Sequence, residues 1–311
     1  MIKSLPSPQS AARWCARARA DGRTLGYVPT MGALHRGHLS LVERAVREND
    51  IVCASIFVNP LQFNDPEDLK KYPRDEARDL QLLERAGCAM VFGGELAQFF
   101  PGADPRALPP RDAGVFARGL EGAHRPGHLP GVRAIVERLF ATVGACAAYF
   151  GEKDFQQCLV VRDIAAQLDN VRVVLCPTVR EESGLAMSSR NRRLGAEDLR
   201  AAAKLHRALQ AARRAWRDGE RDPAAFSELM HAQLRDARIR VEYAEVRDAA
   251  RWSENAPQTL RGAKHARALI AAHIGGVRLI DNIALDENAA ELPATSTEPC
   301  RAEAPPSRNA V

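Results

Sequence analysis

The first half of the chain alternates short, continuously apolar runs with longer segments in which apolar residues recur every three or four positions. Continuous apolar runs are typical of strands covered on both faces, and they lie at 24–28, 51–58, 89–92, 147–150 and 171–176. The periodic segments predict helices, and they lie at 38–47, 74–86, 131–144 and 154–168. Because strands separated by helices need crossover connections, we expect an α/β fold with a doubly wound parallel sheet.

The pattern changes after Asn191. Two helical segments and three apolar strands follow, at 196–216, 223–238, 239–246, 266–274 and 277–285. This order predicts a smaller α+β domain with an antiparallel sheet. We therefore expect a first domain over 1–179, a second over 180–285 and a tail over 286–311. The tail is rich in Ala, Pro, Glu and Ser and poor in large apolar residues, so we expect it to be disordered.

Composition narrows the choice of partners. The 311 residues carry a formal charge of +5, and no uncharged apolar run approaches the roughly 20 residues that a membrane span needs. A positive charge suits an anionic small substrate as well as nucleic acid. Aromatic residues make up only 5% of the chain, so we favour a solvated basic surface and expect neither nucleic acid nor membrane as a partner.

Two further features bear on the cellular compartment. The first 20 residues contain Arg and Ser but no acid, which resembles a transit peptide, although an amphipathic first helix explains the pattern as well. The seven cysteines form no CxxC pair. Reduced thiols in a cytoplasmic protein are therefore the simplest interpretation, and a zinc–cysteine site is not expected.

The stretch "GALHRGH" places His35 and His38 where a strand gives way to a helix. Gly32 and Gly37 would let the backbone approach a ligand closely, and the helix N-terminus favours an anion. Two imidazole donors there would suit a phosphate that gains charge during reaction. The alternatives are a zinc pair or two ordinary core histidines. Zinc normally recruits further ligands, and no HExxH or cysteine partner is nearby.

Three more polar clusters follow predicted strands. "NPLQFN" places Asn59 and Gln62 after a buried strand, and amides suit a hydroxylated substrate. "GEKDFQQ" brings Lys153 to a helix start, as a cation for polyphosphate or as part of a capping cluster. "GLAMSSRN" combines a glycine, two hydroxyls and Arg190, as a mobile phosphate clamp or as a polar interdomain linker. Since ligands bind outside the carboxyl ends of parallel strands, the four clusters together indicate one nucleotide site.

At these motifs the chain resembles the pantoate–β-alanine ligase (pantothenate synthetase) family, of the nucleotidyltransferase superfamily that carries HxGH. The resemblance runs from about residue 4 to 284 and includes "PTMGALHRGH", "SIFVNPLQFN", "YPRD", "RPGH", "FGEKDFQQ", "SGLAMSSRN" and "RLIDNI", in order. The segments 93–104, 129–130 and 192–195 depart from the usual family residues. The resemblance implies a Rossmann-like fold and a ligase that condenses pantoate with β-alanine through pantoyl adenylate, releasing AMP and pyrophosphate.

The resemblance also implies roles for individual residues. His38 matches the family's proton donor, and His35, Lys153, Ser188, Ser189 and Arg190 would also take part in catalysis. Asn59, Gln62 and Gln157 would bind pantoate, with Gln62 also near β-alanine. The ATP site would comprise Met31, Gly32, Ala33, Leu34, His35, Arg36, Gly37, His38, Gly151, Glu152, Lys153, Asp154, Val179, Met187, Ser188, Ser189 and Arg190.

No protein-bound metal is expected, because Mg²⁺ would be carried mainly by the ATP phosphates, with Asp79 as a candidate partner in its outer shell. The resemblance implies a homodimer. Three rival hypotheses remain at this point. They are another adenylate- or cytidylate-forming enzyme acting on a different hydroxy acid, a nucleotide- or RNA-binding module without catalysis, and a structural zinc protein built on His35 and His38.

Overall fold

The computed structural model describes residues 1–104 and 112–286. Within them, a six-stranded sheet with all its strand pairs parallel fills the first part of the chain, and a three-stranded antiparallel sheet fills the second. The strands are β1 Lys3–Leu5, β2 Leu25–Thr30, β3 Ile51–Ile56, β4 Met90–Phe92, β5 Cys146–Gly151, β6 Val171–Cys176, β7 Ile239–Asp248, β8 Ala266–Ile274 and β9 Val277–Ala284. The predicted fold class is confirmed.

Helices connect the strands. They are α1 Pro8–Ala20, α2 Arg36–Glu48, α3 Pro66–Lys70, α4 Glu76–Arg85, α5 Leu96–Phe99, α6 Leu120–His124, α7 His128–Val143, α8 Phe155–Ala166, α9 Ala196–Arg217 and α10 Pro223–Gln233. No helix among the described residues is long and apolar enough to cross a membrane. The tail predicted to be disordered lies, apart from Asp286, outside the described residues.

Element boundaries differ from the predictions where local chemistry starts or stops an element. Helix α7 begins at His128, three residues early, because Gly127 adopts a left-handed φ of 86° just before it. Pro130 is tolerated because it lies in the first turn, where its missing N–H costs little. Helix α10 ends at Gln233, five residues early, and Asp236 instead accepts a hydrogen bond from the Arg238 amide. The short strand β1 was not predicted.

The sheet order is β1-β4-β3-β2-β5-β6. The order reverses direction between β2 and β5, so the crevice above their carboxyl ends is the switch point at which such sheets bind ligands. One apolar cluster packs under helices α1, α7 and α8, and another packs under α2 and α4. The parallel sheet is thus covered on both faces, as its apolar strands require.

The antiparallel sheet has its own apolar core against helices α9 and α10. A smaller cluster joins the two parts and includes Phe155, Leu159, Tyr243, Trp252 and Leu269. The second part therefore packs against the start of α8, directly beside the switch point.

Candidate active site

A cavity of about 230 Å³ lies at the carboxyl ends of β2 and β5. Residues from all four predicted clusters line it, together with Met31 and Val179 of the predicted ATP site: His35, Gly37, His38, Asn59, Gln62, Gly151, Lys153, Asp154, Gln157, Met187, Ser188, Ser189 and Arg190. The parallel sheet thus brings together residues that are up to 159 positions apart in the sequence. The predicted convergence of the four clusters is what the structure shows.

Five residues of the predicted nucleotide site do not line this cavity. Gly32, Ala33 and Leu34 are buried beneath it. Arg36 is exposed and pairs with Glu43, two turns further along α2. Glu152 turns toward Arg267, with 3.1 Å between its carboxylate and the guanidinium.

A buried carboxylate shapes the loop that follows β2. Asp79 of α4 is 1% exposed, and its two oxygens accept hydrogen bonds from the amides of Ala33 and Leu34, each at 2.8 Å. Ala33 adopts a left-handed φ of 51° and Gly32 one of 78°. A Cβ on Gly32 would lie 3.0 Å from the Asp79 carboxylate, so the turn fits glycine best there. Since both oxygens of Asp79 hold the loop, its role is to position backbone.

The two imidazole rings contact each other at the start of α2, with their centroids 4.0 Å apart and their planes tilted by 35°. The His35 Nδ1 accepts the amide hydrogen of Gly37 at 3.1 Å, and the His38 Nδ1 accepts that of His35 at 3.3 Å. A ring nitrogen that accepts an N–H carries no proton of its own. Each neutral ring therefore carries its hydrogen on Nε2, where it can donate to a ligand.

Both histidines are neutral at physiological pH in the free protein. Burial lowers the pKa of His35 to about 4, helped by the nearby charge of Lys153. Burial likewise lowers the pKa of His38 to about 3, helped by His35. A bound phosphate would favour protonation of both rings, because an opposite charge favours the ionised form. In the free protein the two rings are therefore uncharged hydrogen-bond donors, and they can accept protons when a phosphate binds.

The amide cluster is held tightly by its own residues. Asn59 is 1% exposed, and its Nδ2 donates to Gln62 Oε1 at 3.1 Å and to the Gly131 carbonyl at 3.0 Å. Helix α7 approaches so closely that a Cβ on Gly131 would lie 2.0 Å from the Leu61 carbonyl oxygen. The Asn59 amide is thus occupied by this packing, and it positions Gln62.

Gln62 and Gln157 differ from Asn59. The Gln62 Nε2 lies 2.9 Å from the sulfur of Met31, a weak acceptor that a ligand oxygen could replace. The Gln157 side chain makes no hydrogen bond to the described residues, whereas the side chain of the adjacent Gln156 is buried and donates to three backbone carbonyls. The second glutamine of "QQ" therefore faces the cavity, and the first one holds the fold.

Lys153 lies on a 3-10 turn, Glu152–Asp154, between β5 and α8. Its ammonium is 3.6 Å from the Asp154 carboxylate. Partial burial would raise the pKa of Asp154, but the charges of Lys153 and Arg190 lower it below its ordinary value. The cavity therefore carries a net cationic rim with one carboxylate in it.

The hairpin after β6 contains the fourth cluster, "GLAMSSRN". The Met187 amide donates to the Val179 carbonyl at 3.0 Å, and Ser188 caps the 3-10 turn Ser189–Arg193 by accepting the Arg190 amide hydrogen. The Arg190 guanidinium is paired with Asp68 of α3 at 2.9 Å, and Asp68 also pairs with Arg193. Arg190 thus lies at the cavity but is engaged by a carboxylate.

Several residues that line the cavity had no role predicted from the sequence, and three of them are polar residues of interest. Tyr72, Arg125 and His128 all face the cavity; Tyr72 belongs to the "YPRD" stretch and the other two to "RPGH", both of which resemble the family. His128 Nδ1 donates to the Gln62 carbonyl at 2.9 Å, and burial lowers the pKa of His128 to about 4. The signal available was a Gly-flanked histidine before a helix, as in "HRGH". Among the described residues, no group of three ligating side chains could hold a metal ion.

The parallel sheet, its switch-point cavity and the histidine pair at a helix N-terminus define an α/β nucleotide-binding protein of the HxGH type. The chain belongs to the pantoate–beta-alanine ligase family, because the model of that family matches residues 3–284.

The chain aligns with pantothenate synthetases from other organisms over most of its length. It is 42% identical to the pantothenate synthetase of Cytophaga hutchinsonii over 91% of this chain and 99% of that protein. It is 48% identical to that of Cereibacter sphaeroides over 85% and 93%. The crystal structure of pantothenate synthetase from Thermus thermophilus matches with a TM-score of 0.81 at 39% identity, over 91% and 99% of the two chains.

A second solved structure carries ligands. Pantoate–beta-alanine ligase from Francisella tularensis, complexed with beta-gamma ATP and beta-alanine, matches with a TM-score of 0.72 at 29% identity, covering 92% of this chain and 98% of that one. These ligands are those of the Francisella protein.

Proposed function

We propose that this chain is an ATP-dependent ligase that condenses pantoate with β-alanine to form pantothenate, in pantothenate biosynthesis. The observation that carries the proposal is the single cavity shared by His35, His38, Lys153, Ser188 and Arg190. Family membership over residues 3–284 supports the choice of substrates. The beta-gamma ATP and beta-alanine in the structure of the Francisella relative support it further.

The proposed reaction has two steps. A carboxylate oxygen of pantoate attacks the α-phosphorus of ATP, and the bond from that phosphorus to the bridging oxygen of pyrophosphate breaks. The amine of β-alanine then attacks the carbonyl carbon of pantoyl adenylate, the bond to the AMP oxygen breaks and the amine loses a proton. Neither step needs a covalent enzyme intermediate, so positioning and charge stabilisation supply the catalysis.

The side chains in the cavity can be assigned to the two substrates of the first step. His35 and His38 would present their Nε2 hydrogens to phosphate oxygens, and the phosphorus gains charge as it becomes five-coordinate. Lys153 would meet the same oxygens as a point charge. Gln62 and Gln157 would bind the hydroxyls and carboxylate of pantoate, with Asn59 setting the position of Gln62.

Ser188, Ser189 and Arg190 would close over the triphosphate. Closure would exclude water from the adenylate, which water would otherwise hydrolyse. Arg190 would have to exchange its partner Asp68 for a phosphate. Mg²⁺ would arrive with ATP as part of the substrate, in keeping with its preference for few protein ligands.

The wider assignments belong to the same proposal. The separate apolar cores and the small cluster between them support a first domain over 1–179 and a second over 180–285. We propose a homodimer located in the cytoplasm, on the strength of family resemblance. Sedimentation of the purified chain tests the dimer: a mass of about twice the 34.0 kDa of the chain supports it, and a mass near that of one chain overturns it.

The test of the reaction is a pair of omission experiments on the purified chain. Pyrophosphate release from ATP should require pantoate, and AMP formation should require both pantoate and β-alanine. Equal release of pyrophosphate and AMP without pantoate would overturn the substrate assignment. A pantoate-dependent exchange of labelled pyrophosphate into ATP, in the absence of β-alanine, would isolate the first step.

A further inference from the structure

Two adjacent side chains of β9 form hydrogen bonds or an ion pair with loops of the active site, although neither side chain lines its cavity. Asp281 and Asn282 belong to the "RLIDNI" stretch and are 2% and 4% exposed. The Asn282 Nδ2 donates to the backbone carbonyls of Glu152 and Lys153, both at 2.9 Å. One amide from the second domain thus holds two successive carbonyls of the turn that presents Lys153.

A cation fixes the orientation of this amide. The Asn282 Oδ1 accepts a hydrogen bond from Arg267 at 2.6 Å, which leaves only its NH₂ group for the two carbonyls. The second arm of Arg267 pairs with Glu152 at 3.1 Å, and its guanidinium lies 3.9 Å from the ring centre of Phe155 at the start of α8. The turn is therefore held by its backbone, by Glu152 and by the helix that follows.

Asp281 holds the other phosphate-facing element. Its carboxylate binds Arg180 through both oxygens, at 2.6 and 3.0 Å. Arg180 lies at the base of the hairpin that carries Met187 to Arg190, and it also donates to the Gly184 carbonyl at 3.0 Å. Neighbouring residues on one strand thus set the place of two loops that are about 30 residues apart in the chain.

Stability alone does not account for this arrangement. A buried ion pair contributes little net free energy, since desolvation offsets its Coulomb attraction. What a bidentate arginine–carboxylate pair does supply is fixed geometry. The geometry supplied here is the spacing between the Lys153 turn and the Ser188–Arg190 loop.

We infer that Asn282 and Asp281 are positioning residues for the reaction, Asn282 acting through Lys153 and Asp281 acting through the Ser188–Arg190 loop. The inference rests on the proposed function, since it assigns both elements to ATP. It makes the antiparallel sheet part of the catalytic apparatus: β9 holds the cationic groups in the register that a triphosphate requires.

The test is a double-mutant cycle. Asn282→Asp retains the acceptor for Arg267 and removes both amide donors. If Asn282 acts through Lys153, this change should lower kcat of pantoate-dependent pyrophosphate release at least tenfold in the wild-type background. In the Lys153→Ala background it should lower kcat less than threefold, because residues that act through one another are not additive. The KM for pantoate should change less than threefold in both.

The control is Val277→Ala, a core truncation on the same strand and away from the turn. It should leave kcat within threefold of wild type. Equal effects of Asn282→Asp in the two backgrounds, or an effect on kcat no larger than that of Val277→Ala, would overturn the inference. If Asn282→Asp does not fold, Asn282→Ala, which introduces no charge beside Asp281, is carried through the same cycle.

Asp281 has a parallel cycle with the loop. Asp281→Asn should weaken ATP binding at least fivefold by calorimetry, and less than twofold when Arg190 is already alanine. Additive effects would remove Asp281 from this role. Calorimetry with ATP alone also distinguishes a failure of the proposed function from a failure of this inference. If the wild-type protein binds ATP but its pyrophosphate release does not depend on pantoate, the substrate assignment is wrong. The mutant cycle on ATP affinity still tests whether Asp281 positions the loop.

Discussion

The two loops that flank the proposed triphosphate site differ in how their functional side chains are held. The loop around His35 and His38 is fixed by a buried carboxylate, Asp79, which takes two backbone amides at 2.8 Å. The loop of Ser188 to Arg190 is fixed at its base by Arg180 and Asp281, but its Arg190 side chain is tied only by an ion pair with the partly exposed Asp68. Buried hydrogen bonds to a charge are costly to break, and exposed ion pairs are not. The histidine side of the site is therefore preorganised, whereas on the other side the Arg190 side chain is free to exchange its partner.

This contrast suits the proposed chemistry. Groups that stabilise the developing charge must be in place before reaction, whereas groups that close over a substrate must first let it enter. Substitutions at each loop test the two sides of the site separately.

The largest effect is expected at the fixed loop. His38→Ala should lower kcat of pantoate-dependent pyrophosphate release by about 10²- to 10³-fold, the scale of losing one preorganised donor. His231→Ala, at an exposed position on α10, is the matched control and should have no effect. A loss under about tenfold would remove His38 from the chemistry.

Asp79→Asn should weaken the hydrogen bonds that hold the same loop. An amide NH₂ would face one of the two backbone N–H donors, leaving that donor unpaired at a cost of about 1–3 kcal/mol. We expect kcat to fall about tenfold, with a lower midpoint of thermal unfolding. Asp75→Asn is the control, because Asp75 caps the same helix and Asn caps equally well. Normal activity in Asp79→Asn would mean that the loop needs no fixed support.

The pH dependence of stability tests the neutral state of the histidines. The pKa is lowered to about 4 for His35 and about 3 for His38, so below pH ~6.5 the unfolded chain binds more protons than the folded chain. This contribution to stability is complete above pH ~6.5 and is lost as the pH falls toward 4. We expect the pair to account for about 1 kcal/mol of the loss, discounted for partial exposure.

Urea unfolding at pH 7 and pH 4.5 measures this loss. The His35→Gln/His38→Gln variant should lose less stability between the two pH values than wild type does. ATP should reduce the loss in wild type, because bound phosphate favours the protonated rings. Identical pH dependence in the variant and wild type would contradict the neutral pair.

The smallest effect is expected at the adaptable loop. Asp68→Asn releases Arg190 from its carboxylate partner, so ATP should bind about two- to fivefold more tightly, while stability changes by less than about 1 kcal/mol. Calorimetric titration with ATP measures the change. Glu67→Gln, which removes an exposed pair with Lys71, should leave the affinity unchanged. Weaker ATP binding by Asp68→Asn would show that Asp68 positions Arg190 for ATP and does not compete with ATP for it.

Much of this architecture could be predicted from the chain alone. The runs at 51–58 and 171–176 are apolar enough to be strands covered on both faces, and Asn59-Pro60 marks where the first of them ends. Alternation of strands with helices indicated the parallel sheet, and the parallel sheet indicated that the clusters meet at one edge. These inferences succeed because they depend on local periodicity and on a topological rule.

The class of fold, most of its elements and the group of side chains that meet at the cavity therefore follow from local patterns in the chain. Which of these side chains are free to bind a ligand depends on contacts that form only in the folded molecule. The tertiary structure showed that Asn59 is held by Gly131, that Asp79 holds the histidine loop, and that Asn282 grips the turn of Lys153. The physical reason is distance along the chain: a hydrogen bond between residues 46, 72 or 129 positions apart leaves no local pattern, because its geometry exists only after the sheet and helices have packed.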